Sequence, residues 1–419
     1  MPETFHLKYG SGSLPLAVPA ANLQGVLGPR EAPGVLDEVA AVAAALQSPI
    51  GLPRLPELVG AGDRIAIVVS DVTRPAPTAR MLPPLLDELR SAGVRDADVT
   101  VVFAVGIHRS HTRAEQARLV GAETFERVRC VDFDPEDCVY LGATHRGTPI
   151  VASRAVVESD FRICTGNVEY HYFAGYSGGA KALVPGVCHR STVERNHAMM
   201  LLPGAVAGRL VDNPVRQDIE EAAERIGCDF VLNTVLNARR QIVRAVAGEQ
   251  RAALAVAARV VDQMYQAPLD ELADVVVASA GGYPKDINLY QAQKAIDNAR
   301  FAVRKGGIIV LAAECREGLG EETFAEWMES AQTLGDQIER LRARFVLGGH
   351  KAAALAVAMQ HADVYLTSAF PDDYARRLFF EPVPSPQAGL ARALDRLGSD
   401  ARVLVIPNAG STLPRLRRG

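Results

Sequence analysis

The chain has 419 residues, 48% hydrophobic and 22% charged, the make-up of a globular protein long enough for two domains of roughly 100–200 residues each. Its 45 Lys and Arg against 49 Asp and Glu leave a net charge of −4, which excludes the basic footprint of a nucleic-acid binder. Apolar runs such as 308–313 and 352–359 fall short of the roughly 18 residues of a membrane span, and Glu3, His6 and Lys8 interrupt the start where a signal peptide is apolar, so a cytoplasmic protein with no membrane partner is expected.

Short β-branched runs alternate with alanine-rich amphipathic segments, the pattern of parallel sheets covered by helices, so the expected fold class is α/β. Residues 64–70, 98–105, 162–166 and 230–235 read as strands, and 83–92, 114–120, 215–226 and 251–265 as helices. After Ala267-Pro268 a new series begins: strand 274–279, helix 288–303, strand 307–312, helix 351–360, strand 363–367 and strand 402–407. Two domains follow, 1–265 and 266–419, each a mostly parallel sheet flanked by helices. Six cysteines with no Cys-x-x-Cys pair argue against a zinc ribbon or a dithiol redox motif and read as reduced thiols.

Open α/β sheets bind ligands beyond the carboxyl ends of their strands. There the first domain places Ser70-Asp71-Val72-Thr73-Arg74-Pro75 and Gly106-Ile107-His108-Arg109-Ser110-His111-Thr112. Asp71 and Arg74 read either as a loop-closing ion pair or as a site in which the guanidinium fork takes a carboxylate or phosphate. His108 reads as a loop histidine or as a general acid/base suited to pH 7.

The strand ending at Gly166 runs into Asn167-Val168-Glu169-Tyr170-His171-Tyr172-Phe173-Ala174-Gly175-Tyr176-Ser177-Gly178-Gly179-Ala180-Lys181, then Val184-Pro185-Gly186. Gly175, Gly178 and Gly179 predict a backbone cradle for a phosphate. This is not a nucleotide-hydrolysing P-loop, because the glycine spacing is wrong and Ala182 replaces the hydroxyl residue after the lysine. Lys181, set among glycines and apolar residues, is easily desolvated and becomes a candidate nucleophile or attachment point. His108, His171, Cys188-His189 and Asn196-His197 supply enough nitrogen and sulfur for a transition metal, without any zinc-hydrolase spacing. In the second domain Gly281-Gly282-Tyr283-Pro284-Lys285-Asp286 precedes Asn288-Leu289-Tyr290-Gln291-Ala292-Gln293-Lys294, which places Tyr290 and Lys294 on one face of a first helical turn that favours anions.

Taken together, Ser70-Asp71-x-Thr73-Arg74-Pro75, Gly106-x-His108-Arg109-x-x-Thr112, the block 169–181 with Val184-Pro185-Gly186, Asn196-His197 and Asp286-x-Asn288-Leu289-Tyr290-Gln291-x-x-Lys294 resemble the nickel-dependent lactate racemase family, in the family's order and from about residue 60 to 300. The resemblance implies a 2-hydroxyacid racemase or epimerase, an isomerase with its active site in an interdomain cleft. Its cofactor would be a nickel-pincer nucleotide tethered at Lys181, with His197 as the nickel ligand. It implies His108 and His171 as the catalytic acid/base pair of a reversible hydride transfer that inverts C2 through a 2-oxo acid. Arg74, Tyr290, Gln291 and Lys294 would bind substrate; Asp71 would contact the cofactor or orient Arg74, and Gly175, Gly178 and Gly179 would lie near the nucleotide phosphate. The implied partners are the small-molecule 2-hydroxy acid and, transiently, the enzymes that build the cofactor. The family's lactate enzyme places a tryptophan near its substrate, whereas the single tryptophan here, Trp327, falls in a predicted surface helix. The substrate expectation is therefore the 2-hydroxy-acid class. The alternatives are a non-enzymatic carrier or sensor of a phosphorylated ligand, which would need only the glycine loop, and a nicotinamide-dependent dehydrogenase, for which no Gly-x-Gly-x-x-Gly follows an early strand.

Overall fold

The computed structural model describes residues 1–417; Arg418 and Gly419, the last two residues of the expected C-terminal domain, lie outside the described residues. The chain divides into two compact units, one from Glu31–Met264 and one from Met1–Arg30 together with the chain from Tyr265 onward.

In the unit Glu31–Met264 six strands lie in the order Ile242–Gly248, Phe230–Leu236, Phe161–Asn167, Ile65–Ser70, Val99–Ala104 and Arg129–Asp132. All pair in parallel except Ile242–Gly248, an antiparallel edge. Ile65 through Val69 are all buried, as expected for a strand covered on both faces. The helix Thr78–Ser91 begins five residues before the expected start at Pro83. Pro83 and Pro84 sit inside it, and the backbone hydrogen bonds they forgo are offset by burial of Met81, Leu82, Leu85, Leu86 and Leu89 on its inner face. The helices Arg113–Val120 and Pro214–Ile226 begin on the side-chain caps of Thr112 and Asn213.

The second unit's six strands, all parallel, run Glu381–Pro382, Asp363–Thr367, Val303–Ala312, Ala273–Ser279, Val403–Ile406, Leu23–Val26. Val275, Val277, Ile308, Val310, Val403 and Val405 form its core with Leu390 and Ala393. The expected first domain included the chain's start, and the structure corrects this. Leu23–Val26 adds to the edge strand Val403–Ile406, and the hairpin of Glu3–Tyr9 with Gly12–Val18 places Leu7, Leu16 and Val18 in the second unit's core. Trp327 is also corrected. Its helix, Glu322–Ser330, buries it to 7% exposure beneath Gly349, where an added Cβ would lie 2.5 Å from the indole ring. No described helix is long and apolar enough to cross a membrane.

Candidate active site

Phe161–Asn167, Ile65–Ser70 and Val99–Ala104 are neighbouring parallel strands, so the loops beyond their carboxyl ends emerge along one edge of the sheet. Asp71, only 3% exposed, begins the first loop. It accepts a hydrogen bond from Thr73 Oγ1 at 2.8 Å and faces His108 Nδ1 at 2.5 Å. Burial pushes the Asp71 carboxyl up, but the hydrogen bonds from His108 and Thr73 and the positive charges of His108 and Arg74 outweigh it and hold the pKa below the usual carboxylate range. With a carboxylate at Nδ1, the Nδ1–H is donated to Asp71, so in the neutral ring the lone pair lies on Nε2. The His108 turn is pinned from behind: Gly106 N donates to Gly186 O at 2.9 Å, and His108 N to Val105 O at 2.8 Å. Asp71, expected to contact the cofactor or orient Arg74, is thus the partner of His108. Arg74, half exposed, stands 3.9 Å from the other carboxylate oxygen.

His111 has a structural role. Its Nδ1 lies 2.7 Å from Asp132 Oδ1 and its Nε2 accepts from Val72 N at 3.0 Å, which ties the Asp71 loop to the neighbouring strand. Arg109 forms a bidentate pair with Glu115 on the surface.

The third loop folds back on itself through a short antiparallel pairing of Tyr170–His171 with Gly175–Tyr176. Tyr170 and Tyr176 both donate their hydroxyls to Asp262, at 2.7 and 2.6 Å, and so fix this pairing to the helix Gln250–Tyr265. His171 Nδ1 accepts from Ala174 N at 3.2 Å, so a neutral His171 carries its proton on Nε2. Burial, with the positive charges of Lys181, His197, Arg74 and Arg216, lowers its pKa well below the ordinary value.

Lys181 lies on the turn Gly179–Ala182. Burial, then the charges of Arg216 and Arg74, push its pKa well below that of an ordinary lysine, and no described acceptor engages its Nζ. His197 closes the helix Arg190–Ala198 at 9% exposure, its Nδ1 3.1 Å from Asn196 Oδ1. Asn196 is fully buried and donates to Asp218 Oδ2 at 2.8 Å, which orients the amide oxygen toward the imidazole and favours a lone pair on His197 Nε2.

Arg216 was missed by sequence reasoning. It is fully buried, its Nε donates to Ala174 O at 3.2 Å and its Nη2 to Tyr176 O, and Nη1 has no partner among the described residues. Burial lowers its pKa to about 10. The signal was its place on the inner face of Pro214–Ile226, three residues before Ile219 and seven before Ala223. Arg216, Lys181, Arg74 and two histidines therefore gather with an unpartnered buried donor. Such an assembly is stabilised by a bound anion.

The three glycines are packed against the chain on the side a Cβ would occupy. At Gly175 φ is +79°, and a Cβ would lie 2.1 Å from Arg209 O; at Gly178 it would meet Val168 Cγ2 at 2.6 Å, and at Gly179 Leu254 Cδ2 at 3.2 Å. Gly179 N already donates to Asn233 Oδ1 at 2.8 Å. The space that a Cβ would take at these glycines is filled by the chain itself. The described residues contain no cluster of three or more His, Cys, Asp and Glu able to hold a metal ion.

In the second unit Asn288 caps the helix Leu289–Ala299, accepting from Gln291 N at 3.1 Å. Gln291 and Lys294 are exposed. Tyr290 packs edge-on against Phe324 and carries the Lys351 ammonium 3.6 Å above its ring centre. Burial and the charge of Glu321 raise its pKa.

A family model described as the lactate racemase N-terminal domain matches residues 9–208, and one described as the lactate racemase C-terminal domain matches 270–413. The chain is 31% identical over 423 residues to a lactate racemase of Thermoanaerobacterium thermosaccharolyticum, covering 98% of both chains. It is 31% identical over 383 residues to a lactate racemase of Lactiplantibacillus plantarum, covering 89% of this chain and 90% of the relative. The structure of the T. thermosaccharolyticum lactate racemase apoprotein superposes with a TM-score of 0.89 at 30% identity, over 99% of this chain and all of that one. A crystal structure of a Thermotoga maritima protein, 20% identical, shares the fold with a TM-score of 0.62, over 92% of this chain and all of that one.

Proposed function

This chain belongs to the lactate racemase family and is an isomerase; from that premise we propose that it inverts C2 of a 2-hydroxy acid of the lactate type through a 2-oxo acid. The observation that carries the proposal is the opposite setting of two imidazoles: His108 Nδ1 faces the Asp71 carboxylate at 2.5 Å, whereas His171 Nδ1 accepts from Ala174 N at 3.2 Å. Each enantiomer presents its hydroxyl to a different side, so one base and one acid exchange roles when the substrate is inverted. Asp71 holds His108 in its tautomer and stabilises the imidazolium that forms when His108 takes the hydroxyl proton. Arg74 in the unit Glu31–Met264, and Lys294 with Gln291 in the other, are the candidates for binding the substrate carboxylate, and Tyr290 for substrate contact.

The residues present fit a nickel-pincer nucleotide. The unpartnered Nη1 of buried Arg216 and the cation cluster around it suit an anionic group, and the low pKa of Lys181 supplies a free amine for a covalent tether. His197 is one imidazole ligand, so a metal here must bring its other donors with it; sulfur donors and imidazole suit nickel. When bound, the nucleotide supplies the hydride acceptor and donor that this chain's side chains lack.

The test is chiral chromatography of one lactate enantiomer, and then of other 2-hydroxy acids, incubated with protein produced alongside the cofactor-building enzymes. Appearance of the opposite enantiomer, together with near-stoichiometric nickel that falls in His197→Ala, is the expected result. Nickel-loaded protein that inverts no 2-hydroxy acid would remove the proposal.

A further inference from the structure

The sheet of the second unit reverses its direction of growth at Ala273–Ser279. From that strand the chain steps to Val303–Ala312, Asp363–Thr367 and Glu381–Pro382 on one side, then returns to Val403–Ile406 on the other. In open parallel sheets the crevice outside the carboxyl ends at such a reversal is where ligands bind. Two loops border it here, 280–286 after the first strand and 407–411 after the last.

Lys285 bridges them. Its stem lies over Gly281, where an added Cβ would come within 3.1 Å of Cδ and 3.8 Å of Nζ, and its ammonium stands 3.5 Å from Ser411 Oγ. Lys8 borders the same loop: its carbonyl accepts from Ser279 Oγ at 2.5 Å, and its Cβ lies 3.1 Å from where a Cβ on Gly282 would be. Lys294 stands near enough that its charge, with that of Lys8 and partial burial, lowers the pKa of Lys285. None of these three ammonium groups has a carboxylate partner among the described residues. The loop's own carboxylate, Asp286, is fully buried and turned to the backbone, accepting from Gly10 N at 2.7 Å and Glu314 N at 3.2 Å.

One substrate carboxylate neutralises one of these charges and leaves two. We propose that the crevice at Gly281, Lys285 and Ser411 binds a second anionic group of the substrate, so that the preferred substrate is a 2-hydroxy acid carrying a second carboxylate or a phosphate. The ammonium groups supply charge and rotatable donors, and the Ser411 hydroxyl adds a neutral donor suited to either anion. The inference rests on the assignment of Lys294 to the first carboxylate.

The experiment compares lactate, malate and 3-phosphoglycerate as substrates of the cofactor-loaded enzyme, with Lys285→Ala and Lys285→Arg beside the parent chain. Malate and 3-phosphoglycerate separate a second carboxylate from a phosphate. The expected result is a KM for one dianion about tenfold or more below that for lactate, raised about tenfold by Lys285→Ala, restored by Lys285→Arg, and with lactate unaffected. Equal effects on lactate and both dianions, or none on any, would overturn the proposal. Calorimetric binding of the same two dianions separates the two readings. Lactate racemised with no Lys285-dependent dianion binding removes the crevice and leaves the racemase; Lys285-dependent binding with no racemisation does the reverse.

Discussion

Around His108 the neighbouring charge is negative: Asp71 lies 2.5 Å from Nδ1 and is itself kept ionised by two hydrogen bonds. Around His171 it is positive, with Lys181, Arg74 and Arg216 all acting on a ring that burial has already driven toward neutrality. Identical side chains thus sit in opposite electrostatic surroundings, and the proposed reaction assigns them to opposite sides of the substrate. The difference is made by partners that sequence spacing does not reveal. Asp71 precedes His108 by 37 positions, and Arg216 follows His171 by 45.

The largest expected break in this comparison comes from removing either ring. His108→Ala and His171→Ala should each lower racemisation by about 10³-fold, within the usual range for a lost general acid or base, while nickel content stays that of the parent. Turnover near the parent's in either variant would mean that the two imidazoles are not a pair. A smaller effect, about 10²-fold, is expected for Asp71→Asn, which keeps the shape and removes the charge that fixes the His108 tautomer. In a His108→Ala background Asp71→Asn should cost almost nothing further, because Asp71 acts through His108, so the double variant measures their coupling.

The gentlest change is to the cations. Arg74→Ala, at a half-exposed position, should raise the His171 pKa toward 6.5, seen by ¹⁵N NMR of histidine-labelled protein. The sign carries into stability. His171 binds a proton more readily unfolded than folded, so the apoprotein loses stability as pH falls from about 6.5 through the lower folded value. Arg74→Ala should shallow that loss, and thermal melts across the same pH range would check it. An unchanged slope with an unchanged pKa would place the cations too far away to matter.

Much of the fold was legible because its strands carry the signal locally. Runs such as Ile65–Ser70 and Ala273–Ser279 are buried on both faces and therefore almost wholly apolar. The start of the chain was not legible, because Leu23–Val26 pairs with Val403–Ile406, nearly the full sequence away, and no local pattern encodes that partner. Within the site, the residues brought together in the unit Glu31–Met264 had been singled out by residue type, but their pairings had not. Asp71 was grouped with Arg74, three residues on, when its stronger partner is His108. Gly175, Gly178 and Gly179 signalled close approach, and on their Cβ side it is the chain's own Arg209, Val168 and Leu254 that approach. Arg216 went unseen although a charge on the inner face of an amphipathic helix asks for an explanation.

The central claim is inversion at C2 by a hydrogen that leaves and returns without exchanging with water. It is tested most directly by incubating one enantiomer of [2-²H]lactate, or of the preferred 2-hydroxy acid, with cofactor-loaded protein in ordinary water and analysing the opposite enantiomer by mass spectrometry. The expected product keeps deuterium at C2. Product carrying protium at C2 would show that a side-chain base removes that hydrogen as a proton, and would contradict the roles assigned to His108 and His171.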